Sequence, residues 1–145
     1  MDVEKAPDIQ KMVEDLVVTL DKPWLNQYRL ICMRSRGTSA RAYARIWNLP
    51  DIWQKALDVG PYYVIEVLSQ HFDKLPEERK KQVLIHELLH IPKTFSGALL
   101  SHGHPSAPVD ERSVKKLWKE YQEKKGKGGT DGGLKLVLPF LDNEE

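Results

Sequence analysis

The stretch from Pro76 to Ile91 restricts the fold more than any other, because it is an unbroken helical run whose two halves need different surroundings. Pro76 suits a helix start, where a missing N–H costs no bond. Glu77 and Glu78 suit the positive end of the helix dipole. Residues 77–82 are polar, whereas from Val83 to Ile91 apolar residues occupy almost every face, and Pro92 then stops the run. Such a helix begins in solvent and ends in the core, so the rest of the chain must wrap its C-terminal half. That half carries His86, Glu87 and His90.

Two imidazoles and a carboxylate are costly to desolvate without partners. The spacing His86-Glu87-Leu88-Leu89-His90 supplies one. Helical residues four apart share a face, about 5–6 Å apart at Cβ, so both imidazoles can converge on one ion. Zinc takes imidazole nitrogen at about 2.0–2.1 Å and favours four ligands. Glu87 is rotated one residue from His86, which suits it to take a proton from a water on the metal. A third protein ligand must come from elsewhere. Pro92 and Gly97 let the chain fold back, and the loop then offers His102 and His104. His102, separated from the motif by eleven residues, is the preferred third ligand, with His104 the alternate. Glu111 is a weaker candidate, since it reads as a first-turn residue of the next helix. His71 reads as a surface residue.

The flanking segments predict an α+β domain, a small mixed sheet packed against helices that include the central one. Apolar residues at helical spacing place a helix over Pro7–Leu20. Strands are expected over Trp24–Met33, Ala40–Leu49 and Tyr62–Leu68, with a turn at Arg34–Ser39 and a short helix at Ile52–Val59. Lys93–Ala107 reads as a loop and Asp110–Lys125 as an amphipathic helix. The strand before the central helix is a candidate for pairing with an extended ligand, which would make Tyr62, Tyr63, Val64, Ile65 and Glu66 binding residues; an interior strand is the equal alternative. Tyr62 or Tyr63 is also a candidate oxyanion donor. The domain is expected over residues 1–125, followed by a glycine-rich linker at 126–133. An apolar tail at 134–145 is expected to dock on the domain as a further strand. Self-inhibition and partner binding are the readings behind that one.

Composition limits the partners. The chain has 145 residues and a formal net charge of +1, so a global polyanion-binding surface does not follow. Arg34, Arg36, Arg41 and Arg45 cluster around one turn and offer the one local patch for a weak nucleic-acid contact. The lone cysteine, Cys32, excludes an intramolecular disulfide and a cysteine-based zinc site, and its apolar neighbours mark it as a buried hydrophobe. The N-terminus lacks a signal-peptide pattern and no run reaches the ~18 apolar residues of a membrane span, so a cytoplasmic protein without a membrane partner is expected.

Further likenesses accompany the motif. Tyr43-Ala44-Arg45-Ile46-Trp47, Tyr63-Val64-Ile65-Glu66, the run His86–Pro92, Phe95-Ser96-Gly97 and His102-Gly103 together resemble a group of archaeal and phage metallopeptidases. These are minimal zincins, similar in outline to SprT-like proteases. The resemblance spans about residues 10–122, and only the HExxH run and the Phe-Ser-Gly to His-Gly stretch are specific. It implies a zincin-like sheet-and-helix domain, one zinc ion per chain and peptide-bond hydrolysis by a zinc-bound water that Glu87 activates. The family is assigned mostly by motif, so the resemblance implies no particular peptide or protein substrate. In SprT-like proteins the third histidine follows on a later segment, which favours His102 without deciding against His104. The alternatives are a non-catalytic zinc-binding interaction module and a zinc hydrolase with a non-peptide substrate.

Overall fold

The computed structural model describes residues 2–105 and 107–129. Four strands form one mixed sheet: β1 (Asp2–Lys5), β2 (Leu30–Arg36), β3 (Ala44–Asn48) and β4 (Tyr63–Leu68). Their spatial order is β1-β2-β4-β3, with β2 and β4 parallel and both outer strands antiparallel to their neighbours. The helices are α1 (Pro7–Leu20), α2 (Asp51–Leu57), α3 (Ser69–Phe72), α4 (Glu77–Leu88) and α5 (Glu111–Gly129). This is an α+β domain.

The core lies between α1, α4, α5 and one sheet face. Ile9, Val13, Leu16 and Leu20 from α1 meet Leu30, Cys32, Ile65 and Val67 from the sheet and Leu84, Ile85 and Leu88 from α4. α1 has Pro7 in its first turn, and Asp21 closes it in a left-handed conformation, φ 53°, with its N–H on the Val17 carbonyl. Gln10 joins this helix to the sheet, donating to the Leu30 carbonyl at 2.8 Å while its own oxygen accepts the Cys32 N–H at 2.9 Å. Burial pushes the Cys32 thiol up to about 12, so it is an inert core group. α5 begins with Asp110 capping the Ser113 N–H at 2.9 Å and packs across α1 and α4.

Several boundaries differ from the sequence expectation. The strand expected over Trp24–Met33 begins at Leu30 and runs on to Arg36. Ahead of it, Gln27–Arg29 form a single 3₁₀ turn, because the Asn26 side chain captures the Tyr28 N–H and turns the backbone away from extension. Arg34–Arg36 are strand rather than turn because β1, which was not foreseen, pairs with them. All four residues of β1 are exposed, so no apolar alternation marks it. Ala40–Tyr43 are loop, and β3 starts at Ala44. α5 extends to Gly129, four residues into the stretch expected as a linker. The rest of that stretch and the tail from 134 to 145 lie outside the described residues.

One expectation falls on the topology. β4 is bonded on one side to β2 and on the other to β3, so Tyr62–Glu66 do not form an edge on which a ligand strand can add. Among the described residues the sheet edge beside α4 belongs to β3. Three of the four arginines around the turn are ion-paired. Arg34 bridges Asp8 and Asp73, Arg36 meets Glu4, and Arg45 lies 2.8 Å from Glu66. No helix among the described residues is long and apolar enough to cross a membrane.

Candidate metal centre

α4 delivers His86 and Glu87 in regular helix, but His90 sits two residues past its end, just after the Leu89 cap. Pro92 is the cause. It has no N–H to give to the Leu88 carbonyl, and it disfavours helical backbone at the residue before it. The final turn therefore tightens, with His90 N–H on Glu87 O and Ile91 N–H on Leu88 O, each at 3.1 Å. The two rings still share a face, their centroids 5.2 Å apart and steeply inclined.

The chain then folds back, as Gly97 allows with its φ of 97°. Leu100 closes the return, its N–H on the His90 carbonyl at 2.7 Å. Its own carbonyl accepts the His90 Nδ1 proton at 2.6 Å. That bond settles the tautomer and leaves Nε2 of His90 as the free lone pair. Two residues later His102 places its Nε2 3.2 Å from the Nε2 of His86. The ligand atoms of His86, His90 and His102 all lie within 4.8 Å of one another. Four-coordinate zinc with imidazole at about 2.05 Å requires donors about 3.3 Å apart, so the His86–His102 pair already has the spacing of one tetrahedral edge. His104 is not part of this group, nor is Glu111, an exposed residue facing Lys115 at 3.5 Å. His71 sits on the short α3 and is also outside the group.

The electrostatics suit cation binding. Burial holds His86 below the ordinary histidine value, and the neighbouring His90 and His102 lower it further. Burial likewise depresses His90. Both rings are thereby kept neutral, the form that donates a lone pair to a metal. Glu87 is 6% exposed, and burial pushes its carboxyl up to about 8. Among the described residues it has neither a hydrogen-bond donor nor an ion-pair partner. It lies on the wall of a cleft of about 390 Å³ between α4, α5 and the start of β3. His86 lines the same cleft, as do Arg79 from α4 and Tyr43 and Ala44 at the start of β3.

The two tyrosines expected near the reaction are committed elsewhere. Tyr63 is fully buried, and its hydroxyl is engaged by Gly97 and Ala98. Tyr62 lies beneath the Arg29 guanidinium, 4.9 Å from the ring centre. From the sequence, Tyr43, Ala44 and Arg79 have no assigned role in the site. The advance signals are that Tyr43-Ala44 lies in an expected strand and in the run that carries the resemblance, and that Arg79 lies two helical turns before His86.

Fold and site thus define a small α+β protein with a three-histidine cluster that could hold a metal ion, set beside a buried glutamate. The chain belongs to the family described as "Putative phage metallopeptidase", which matches residues 1–127. No match was found among curated proteins or among solved structures.

Proposed function

We propose that this protein is a zinc-dependent peptidase of zincin type in which His86, His90 and His102 hold the ion and Glu87 is the general base. One observation carries the reading. Three imidazoles converge within 4.8 Å of one another next to a buried carboxylate that has no partner among the described residues. A glutamate kept for stability at this depth acquires donors. One kept for proton transfer needs its lone pairs free.

Neutral imidazoles in a set of three suit zinc with one position left open. When bound, the ion acts as a Lewis acid toward the scissile carbonyl and acidifies a water molecule. Glu87 takes the proton of the attacking water and hands it to the leaving amine nitrogen. Its place on the cleft wall beside His86, with no donor among the described residues occupying its oxygens, leaves them available for both transfers. Leu100 keeps the His90 ring from rotating through the Nδ1 bond.

An extended peptide fits along β3. Leu49 N–H bonds to Tyr62 and Tyr43 C=O accepts from Leu68, so the odd-numbered residues of this strand face β4. By the twofold period of a strand, the peptide groups of Ala44, Ile46 and Asn48 point outward. Ala44 also lines the cleft with His86 and Glu87. A substrate strand added there brings its backbone past the histidines.

The test is a comparison of wild type with Glu87→Gln for zinc content and for digestion of casein or a peptide library. The expected result is full zinc occupancy in both and cleavage only in wild type. Undiminished cleavage by Glu87→Gln removes the general base from the scheme. A folded wild-type protein that fails to take up zinc removes the whole reading.

A further inference from the structure

The loop that carries His102 is fastened to the sheet by side chains from two residues paired across β3 and β4, Asn48 and Tyr63. The Tyr63 hydroxyl accepts the buried N–H of Gly97 at 2.8 Å and donates to the Ala98 carbonyl at 2.8 Å. The Asn48 carboxamide donates to the Gly97 carbonyl at 2.7 Å. Two consecutive residues of the return loop thus have three backbone groups bound by side chains from the end of the sheet. Phe95 sets its ring edge-on to Tyr63, centroids 5.1 Å apart, and does so from left-handed backbone, φ 47°. A non-glycine residue in that conformation is held there by its surroundings. Any other residue at Gly97 would be strained at its φ of 97°, and its Cβ would also crowd the Gln54 amide.

From Ala98 to Leu100 is only two residues, and Leu100 makes both bonds to His90. From Leu100 to His102 is two more. We propose that Tyr63 and Asn48 are positioning residues for the metal centre. They hold the 95–98 segment against the sheet, which places the Leu100 carbonyl on His90 and brings His102 to His86. Neither side chain belongs to the histidine cluster, and neither touches a reacting atom. The inference rests on His86, His90 and His102 being the ligands. A tyrosine hydroxyl is the right group for the task because it both accepts from one peptide and donates to the next. Phenylalanine would keep the ring packing and leave the Gly97 N–H buried without a partner, a state of real cost.

The test uses the full chain and two conservative variants, Tyr63→Phe and Asn48→Ala. Zinc affinity is measured by competition with a chromophoric chelator, and cobalt(II) is substituted to read coordination from its visible spectrum. Thermal unfolding of the metal-free proteins reports stability separately. Loss of a group that orients a ligand costs about 10–100-fold in metal affinity. The expected outcome is a fall of about 10-fold for Tyr63→Phe, a smaller fall for Asn48→Ala, and a cobalt spectrum altered in both. Unchanged affinity and an unchanged spectrum, with only a lower melting temperature, overturn the proposal. If Tyr63→Phe fails to fold, Asn48→Ala decides, since Asn48 is on the surface. A wild-type protein that binds neither metal refutes the ligand assignment instead, a result distinct from equal binding by all three proteins.

Discussion

Glu66 and Glu87 are buried almost equally, at 5% and 6% exposure, yet the protein treats them in opposite ways. Glu66 stands on β4 and receives Arg45 Nε and Trp47 Nε1, each at 2.8 Å, with a second Arg45 contact at 3.2 Å. Burial alone would raise its pKa. The donors prevail, with Arg45 foremost, and hold it below the ordinary value. Glu87 has no donor among the described residues, and burial pushes it up to about 8. Burial sets the cost of a charge and local partners decide whether that cost is offset. The contrast separates a carboxylate that holds two strands together from one left without such partners, as the proposed general base requires.

The sharpest way to break this contrast is to neutralise each glutamate in turn. Glu87→Gln is expected to lower the peptidase rate by about 10²–10⁴-fold, the usual share of a general base, with zinc retained and no loss of stability. Cleavage assays with parallel elemental analysis check it. His102→Ala and His104→Ala probe the other half of the site. His102→Ala is expected to weaken zinc binding by at least about 10-fold and His104→Ala to leave it near wild type, as read by chelator competition. The reverse order would show that the return loop closes on the metal differently.

Glu66→Ala should act on stability instead. It leaves the Arg45 guanidinium and the Trp47 N–H without their acceptor, at a cost of about 1.5–3 kcal/mol in urea unfolding, and zinc binding persists. The same residue has a pH signature. Its folded pKa is lower than its unfolded value, so its contribution is complete above the ordinary 4.5 and drains away as pH falls through the depressed folded value. Asp73, lowered by Arg34 against the effect of burial, adds in the same direction. The wild type should therefore lose more stability between neutral pH and about pH 3 than Glu66→Ala does. Equal losses would mean that the Arg45 pair is not what holds Glu66 ionised. The smallest effect belongs to the exposed Arg36–Glu4 pair on β1. Glu4→Ala should shift the unfolding free energy by less than about 1 kcal/mol.

Much of this contrast could be read in advance, and the unread part has a common cause. The Pro7–Leu20 helix was legible to the residue because an apolar stripe lies between Pro7 and the Asp21-Lys22-Pro23 stop. His86 and Glu87 were legible because their spacing carries its meaning within one helical turn. β1 was not, since four exposed residues, with Val3 the one apolar side chain, become a strand only when Arg34–Arg36 are there to pair with them. Glu66 could be read equally as part of a ligand-binding edge or of an interior strand, because a sequence does not state which strands lie on either side of it. The partner of Tyr63 is likewise far along the chain, at Gly97.

By itself, the sequence determined where a metal can be held and which carboxylate stands beside it, because helical spacing, proline stops and glycine turns act over a few residues. Among the described residues, tertiary structure decided that β3 rather than β4 is the sheet edge beside α4 and that His102 rather than His104 joins the pair. It also decided that one buried glutamate is paired and that the other has no partner there. Each of those outcomes depends on contacts between segments distant along the chain, whose geometry is settled by strand order and core packing rather than by local pattern.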